Sequence, residues 1–219
     1  MKRIFISCAL FLCTISLSAQ TKMTAKEAAL KIADRILDST TYEFKNTKTG
    51  EVYKSVKKLP LSMDVKVACK YNNWHYTNGV TNIALMELAD KVGDKKYDKY
   101  VLKNMNFVFN EGNLDFFRRQ YDQAFKDGGW NAVRKLSWHM IFRGKRLDDN
   151  GPMGASLIEL QMRHPNEAFL SYVNETADHL NYAEPRLVDG TIARLWPHVN
   201  TIWADDAFMA ISFLARMGK

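Results

Sequence analysis

The feature that most limits the fold is a helical apolar period, repeated along the chain and stopped at Gly and Pro. Thr24-Ala-Lys-Glu27 is a capping-box pattern, in which side chain and backbone of a first helical turn satisfy each other's free donors. Ala28, Ala29, Ile32, Ala33, Ile36 and Leu37 follow on one face. The spacing predicts a second helix from Tyr76 to Val92, with Ile83, Leu85, Met86 and Leu88 turned inward and Gly93 as its stop. A third runs from Lys95 to Asn110 on Tyr97, Tyr100, Val101, Met105, Phe107 and Val108. Gly151 to Arg163 is the next. Pro165, of a type favoured at helix starts, opens another from Asn166 to about Tyr182, and the last runs from Ala207 to Arg216.

Residues 39–70 read as a long connection carrying a short helical turn, interrupted by Pro60. Residues 114–146 read as partly helical around Gly128-Gly129. Asp189-Gly190, between the short apolar runs of Arg186 to Trp196, is a hairpin signal. The expected class is therefore all-α, with a short hairpin before the last helix. Helices with apolar faces this broad pack in antiparallel pairs, as a solenoid or a closed toroid.

Met1-Lys2-Arg3, the apolar run Ile4 to Leu17 and the small residues Ser18-Ala19 have the layout of a secretory signal peptide, so residues 1–19 are expected to be a leader and 20–219 a single domain. The run is too short to span a bilayer comfortably, and Gln20 stands where a lipid-acceptor Cys would sit. An exported protein, periplasmic or secreted, with no membrane association after leader removal, is the expectation. Cys8 and Cys13 would leave with the leader, so Cys69 has no intrachain disulfide partner and reads as a packing residue. Losing Lys2 and Arg3 lowers the net charge from +7 to +5. The remainder is spread out, as in Lys91 to Lys103, where Lys alternates with Asp and apolar residues. No basic run suits a phosphate backbone, so nucleic acid is not an expected partner. The five His are scattered without metal-ligand spacing. With no Gly-rich phosphate loop and no nucleophile elbow either, neither a metal nor a cofactor is expected.

Four stretches just ahead of helices remain: Trp74-His75-Tyr76-Thr77-Asn78-Gly79, Arg146-Leu-Asp148-Asp149-Asn150-Gly151, Arg194-Leu-Trp-Pro-His198, and Asn200 through Asp206. If helices alternate in direction, these stretches gather on one rim. Aromatic rings beside carboxylates offer flat faces for sugar C–H groups and acids for proton transfer. Each stretch also has a plainer reading. Asp205 or Asp206, and likewise Asp148 or Asp149, would serve as a helix cap. Trp74 and Tyr76 would close the top of the core, and His75 would be a satisfied rim histidine.

Together, Trp74-His-Tyr-x-x-Gly79, Leu147-Asp-Asp-Asn-Gly-Pro-Met-Gly154 and Asp189-Gly-Thr-x-x-Arg194…Asn200-Thr-x-Trp-Ala-Asp-Asp-x-Phe-Met209 resemble glycoside hydrolase family 105, the unsaturated rhamnogalacturonyl hydrolases, related to the family 88 unsaturated glucuronyl hydrolases. The last motif is the most specific. The resemblance covers Thr24 to the C-terminus, with residues 39–70 and 114–146 matching poorly. It implies an (α/α)6 barrel that removes a 4,5-unsaturated uronic acid from the non-reducing end of lyase-generated oligosaccharides of the pectin or rhamnogalacturonan type. In that mechanism an Asp protonates the C4=C5 double bond and water adds at C5. The hemiketal then opens and expels the neighbouring sugar, so the carboxylate-separation rule for ordinary glycosidases does not apply.

By the same resemblance Asp205 is the general acid/base, Asp149 the supporting second Asp, and Trp203 and Tyr76 site-lining aromatics. Trp74, His75, Arg194 and Asn200 complete the candidate substrate-binding set. Proton donation near neutral pH requires a raised pKa at Asp205, for which Asp149, Asp206 and aromatic burial would be responsible. About six or seven helices are legible, roughly half of such a barrel, and the chain stops after the motif helix. The expectation is a truncated product, a fragment or half of a split protein, whose two apolar seams would be covered by a C-terminal half or by self-association. The alternative reading is a non-catalytic helical module that binds sugar or a partner through its aromatic rim.

Overall fold

A computed structural model describes residues 23–136, 138–143 and 147–219, apart from the side chain of Asp149. The expected leader, residues 1–19 with Gln20, lies outside the described residues. The architecture is all-α in the main, as expected. The helices are α1 Ala25–Asp38, α2 Tyr76–Val92, α3 Lys96–Val108, α4 Glu111–Val133, α5 Met140–Arg143, α6 Leu147–Arg163, α7 Glu167–Asp178 and α8 Ala204–Met217. A π-helical turn, His179–Ala183, prolongs α7.

The connection of residues 39–70 carries the expected short helical turn, Val56–Lys58, but departs from expectation in its strands. It holds a three-stranded antiparallel sheet of β1 Phe44–Asn46, β2 Val52–Tyr53 and β3 Val65–Val67, ordered β2-β1-β3. Gly50, in left-handed geometry at φ 77°, closes the first turn, and its N–H donates to the Asn46 carbonyl. Phe44, Val65 and Val67 enter the core from this sheet. Residues 111–133 also form more helix than the glycines suggested. The helical path of α4 breaks only at Gly129 (φ 54°, ψ −148°), a conformation that needs glycine.

The core is organised around α6. Leu147 and Asn150 to Ile158 are buried wherever their side chains are described, the mark of a helix enclosed on all sides. Each of Met153, Leu157 and Leu160, fully buried here, stabilises the fold by ~1.5–3 kcal/mol. Two glycines let α8 approach. A Cβ at Gly151 would run into the Met209 carbonyl oxygen, and one at Gly154 would stand 2.8 Å from Phe213 ring carbons. Gly79 plays the same part for α2, whose backbone there abuts Pro152.

Ion pairs at the far ends fix the directions. Arg163, the last residue of α6, bonds Asp90 near the end of α2, and Arg216 near the end of α8 bonds Glu159 in α6. Helices α2, α6 and α8 thus run parallel and start at one end of the molecule. Helix α3 runs back, since Asp98 in its first turn meets Arg163 and His164 at the end of α6. Helix α7 likewise returns along α6. The expectation that alternate helices begin on one side is met.

Two helix starts differ from expectation. Helix α6 begins at Leu147, not Gly151. Pro152 cannot donate to the Asp148 carbonyl, but the extra turn buries Leu147 and lets Asn150 Oδ1 accept a 2.8 Å bond from the Tyr172 hydroxyl. Helix α8 begins at Ala204 with Trp203 as an N-cap that makes no side-chain bond. Asp205 and Asp206 are therefore not caps; they sit inside the first turn.

Candidate active site

The shared end of α2, α6 and α8 gathers three helix first turns and the positive ends of their dipoles. The sequence sets negative charge there: Asp148 and Asp149 in the first turn of α6, Asp205 and Asp206 in that of α8. Arg194, a cation that reaches Asp148, Asp205 and Asp206, arrives from the segment linking α7 to α8. That segment is not a regular hairpin but two single-bridge turns, Arg186 opposite Ile192 and Arg194 opposite Thr201. Gly190, at φ 87°, makes the first turn and Asn200, at φ 61°, the second. The Arg194 N–H donates to the Thr201 carbonyl at 2.8 Å, and the Asn200 N–H donates to the Arg194 carbonyl at 2.9 Å. Asn200 thus fastens Arg194 through its backbone.

The guanidinium of Arg194 grips Asp206 with two hydrogen bonds, Nε to Oδ2 at 2.6 Å and Nη2 to Oδ1 at 2.7 Å. Nη2 also donates to Asp148 Oδ1 at 3.2 Å and comes within 3.9 Å of Asp205 Oδ2. The Trp203 ring lies 4.2 Å from the guanidinium carbon, in cation–π contact. The hydrogen bonds from Arg194 to Asp206, and then the charges of Asp148, Asp206 and Asp205, raise the arginine's pKa and hold it protonated. The two aspartates of the doublet part company here. The Asp206 side chain is 5% exposed and fully engaged, whereas that of Asp205 is 54% exposed at the mouth. The aromatic burial expected around Asp205 is absent.

Asp148 joins this cluster to α2. It lies close enough to His75 for its charge to favour the imidazolium, against the stronger effect of burial, which lowers the His75 pKa. His75 caps α2: its Nδ1 accepts the Thr77 N–H at 3.3 Å and pairs with the Thr77 hydroxyl at 2.8 Å. The plain reading of a satisfied rim histidine is thus realised. Tyr76, 38% exposed, stacks against His75 with ring centroids 4.5 Å apart.

Trp74 is elsewhere. It is 1% exposed, edge-on to Tyr172 at 4.8 Å, and closes the core beneath the rim, with no face left for a ligand. Of the residues singled out in the sequence, the structure thus brings His75, Tyr76, Arg194, Trp203 and Asp205 to one end of the molecule and sends Trp74 inward. The backbone of Asp149 follows that of Asp148 at the same rim, while its side chain lies outside the described part.

A cavity of about 150 Å³ opens beside Arg194, with Asp148 and Asp206 in its wall. Glu184, which sequence reasoning passed over, lines it too. Its Oε2 pairs with His179 Nε2 at 2.8 Å. Burial first, with the Asp206 charge adding, raises the Glu184 pKa, while His179 and Arg186 oppose the shift. No motif spacing marks this pair; the only cue is a His and a Glu flanking the end of a predicted helix. Among the described residues no group of three His, Cys, Asp or Glu side chains is arranged to hold a metal ion.

Comparison with known proteins bears on the same region. The model of Glycosyl Hydrolase Family 88 matches residues 52–219, from β2 through α8, a span that contains every residue of the rim. No curated protein matches the chain.

Proposed function

The chain belongs to glycosyl hydrolase family 88, whose membership implies hydrolysis of unsaturated uronic acid substrates, and from that premise we propose that it removes a 4,5-unsaturated uronic acid from the non-reducing end of lyase-generated oligosaccharides. The finer pattern of residues, which resembles family 105, favours pectin or rhamnogalacturonan fragments. An exported location, as the leader-like residues 1–19 suggest, suits a protein fed by extracellular lyases.

The observation that carries this reading is the division of labour between Asp205 and Asp206. A proton-transfer group must reach substrate, and its neighbours must hold it in place. Asp206 is locked on Arg194, while Asp205 stands open beside Trp203 with only a 3.9 Å approach to the guanidinium. In the proposed reaction Asp205 gives its proton to C4 of the double bond, and water, deprotonated by the same carboxylate, adds at C5. The hemiketal so formed opens, and the hemiacetal left at C1 expels the next sugar. Asp149 supports by charge and hydrogen bonding. Arg194 fixes the first turn of α8, so that Asp205 projects from a rigid seat. Trp203, Tyr76 and His75 supply the flat faces and the polar edge of the rim.

The test is loss of the ultraviolet absorbance of the C4=C5 bond when the chain is incubated with lyase-generated pectin fragments. Steady loss that vanishes in Asp205→Asn supports the reading. Retention of absorbance by the wild-type chain, with and without a complementing C-terminal half, sinks it. Sugar binding that persists in Asp205→Asn, with no turnover in either protein, would point to a binding module instead.

A further inference from the structure

Residues 43–70, the segment of the small sheet, carry seven Lys against three acids, a surplus of +4 in a chain whose total is +7. Lys48 has Asp64 as its partner. Among the described residues Lys45, Lys54, Lys57, Lys58 and Lys66 have no ion pair, and neither has Glu43, two residues before Lys45. The other Lys-rich stretch, Lys91 to Lys103, is better answered: Lys96 sits on Asp34 and Asp94, and Lys91 lies near Asp90.

The sheet's register sets two of these lysines side by side. Phe44, Val65 and Val67 turn into the core, so strand alternation turns Lys45, Val52 and Lys66 to the outer face. Lys45 on β1 is the direct cross-strand partner of Lys66 on β3 and of Val52 on β2. Like charges directly opposite one another are destabilising. Lysines guard edge strands against pairing with another chain, which suits Lys66 on an edge but not Lys45 on the central strand. Edge protection therefore does not account for the pair. Lys54, Lys57 and Lys58, all exposed, follow directly on β2.

An anion answers such a face, and the face limits its kind. Every cation of residues 43–70 is Lys, a compact charge on a flexible stem, without the planar fork by which Arg grips phosphates. No aromatic ring of the segment is exposed, so nucleic-acid bases have nothing to stack on. Val52 and Leu61 are its only exposed large apolar side chains, too few to enter a lipid surface. The row Val52, Lys45, Lys66 crosses the strands at about 4.8 Å per step, an apolar contact and two cations in line. A linear polymer of acidic sugars offers ring faces and a carboxylate on successive residues.

We propose that the outer face of the small sheet, centred on Lys45 and Lys66, binds acidic polysaccharide of the polyuronate class. The choice of a polyuronate among polyanions rests on the hydrolase reading above, since such chains are what yield unsaturated uronyl ends. The face is not the rim: the family match begins at residue 52, so β1 and Lys45 lie ahead of it. A polymer held on the sheet raises the local concentration of its ends for the site on the same molecule, so long fragments are favoured over short ones.

The experiment is biolayer interferometry on the full chain. The probes are polygalacturonate, dextran as the neutral control, and double-stranded DNA as a polyanion of another class. Polygalacturonate should bind, dextran should not, and DNA should bind more weakly. Lys45→Gln/Lys66→Gln should weaken polygalacturonate binding roughly 2- to 30-fold, the factor for two exposed ion pairs. Lys91→Gln/Lys99→Gln, the same change of charge in the other Lys-rich stretch, should leave it unaltered. Lys66→Glu sets opposite charges across the strands, so it should bind less while melting no lower than wild type. The proposal is overturned if polygalacturonate does not bind, if DNA binds as tightly, or if the two double variants behave alike. Weaker binding by Lys66→Glu together with a lower melting temperature would also overturn it, by making the lysines structural. None of these readouts needs turnover. Binding that depends on Lys45 and Lys66, in a chain that leaves unsaturated fragments untouched, would overturn the hydrolase reading and keep the face. Turnover without polymer binding would do the reverse.

Discussion

Arg194 holds Asp206 through hydrogen bonds of 2.6 and 2.7 Å but reaches Asp205, its neighbour in the chain, only at 3.9 Å. The first pair is buried, and a buried pair is least tolerant of losing one member, because the other is left as an uncompensated charge. Arg194→Ala should therefore destabilise the chain by ~3–5 kcal/mol, measured by urea unfolding. Arg194→Lys should fall well short of rescue, since an ammonium cannot reproduce the two-pronged contact. The double variant Arg194→Met/Asp206→Leu should recover most of the loss, because apolar residues of similar volume often replace such pairs without penalty.

Asp205→Asn should separate function from stability. The side chain is more than half exposed and makes no close bond, so the substitution should change stability by no more than about 0.5 kcal/mol. If Asp205 transfers the proton, turnover of unsaturated oligosaccharides should fall by ~10²–10⁴. Asp206→Asn should reverse the order of effects, with a clear loss of stability from a weakened Arg194 contact. Equal rates for Asp205→Asn and wild type would remove Asp205 from the chemistry.

Much of this was legible in the sequence, for reasons that particular residues show. Helix α1 has a complete capping box at Thr24 and Glu27, and α2 stops at Gly93 in left-handed geometry, φ 72°; both signals are local. The strands of the small sheet are two or three residues long, too short for alternation to register. The start of α6 was hidden because Pro152 reads locally as a first turn, while the burial of Leu147 and the Asn150–Tyr172 bond that extend the helix are tertiary. Both Asp doublets were visible as charge at helix starts. Which member would be bound was not, since that choice depends on Arg194 reaching Asp206 and Asp148 from positions 12 and 46 residues away. Trp74 and Tyr76 gave the same aromatic signal, and only packing sends one inward and leaves the other at the rim.

Glycine substitutions test the close approach of α8 to α6. In an ordinary helix Gly→Ala is stabilising, by ~0.4–1 kcal/mol. At Gly151 the sign should invert, because the new Cβ would strike the Met209 carbonyl oxygen, part of a helix backbone that cannot swing aside. A net loss of ~1–3 kcal/mol is expected, together with lower activity, since α8 carries Asp205. Gly154→Ala should cost less, as the Phe213 ring is the main obstacle. Gly112→Ala, where a Cβ would meet only ordinary contacts at 3.5 Å, should be neutral or stabilising. Thermal melts of the three variants give the ranking.

His75 should make the rim sensitive to mild acid, and the sign follows from its surroundings. Burial lowers its pKa below the ordinary 6.5, with the Asp148 charge opposing. The folded state therefore favours the neutral ring. Its contribution to stability is fully present above pH ~6.5 and is lost as pH falls through the lowered folded pKa. Geometry gives the same sign, because protonating Nδ1 would remove the acceptor that caps α2 at the Thr77 N–H. His75→Asn keeps a strong capping residue without a titrating ring, so it should match wild type at about pH 7.5 and become relatively more stable toward about pH 5. His139, whose pKa is lowered by burial first and last by the His75 charge, loses only that last contribution in the variant, a change of the same sign. Glu184, whose pKa is raised, gives a slope of opposite sign, with stability lost as pH rises through its folded pKa. The Glu184 slope cancels in the difference. Urea unfolding of the pair at the two pH values is the measurement, and parallel pH profiles would show that His75 titrates alike in the folded and unfolded chain.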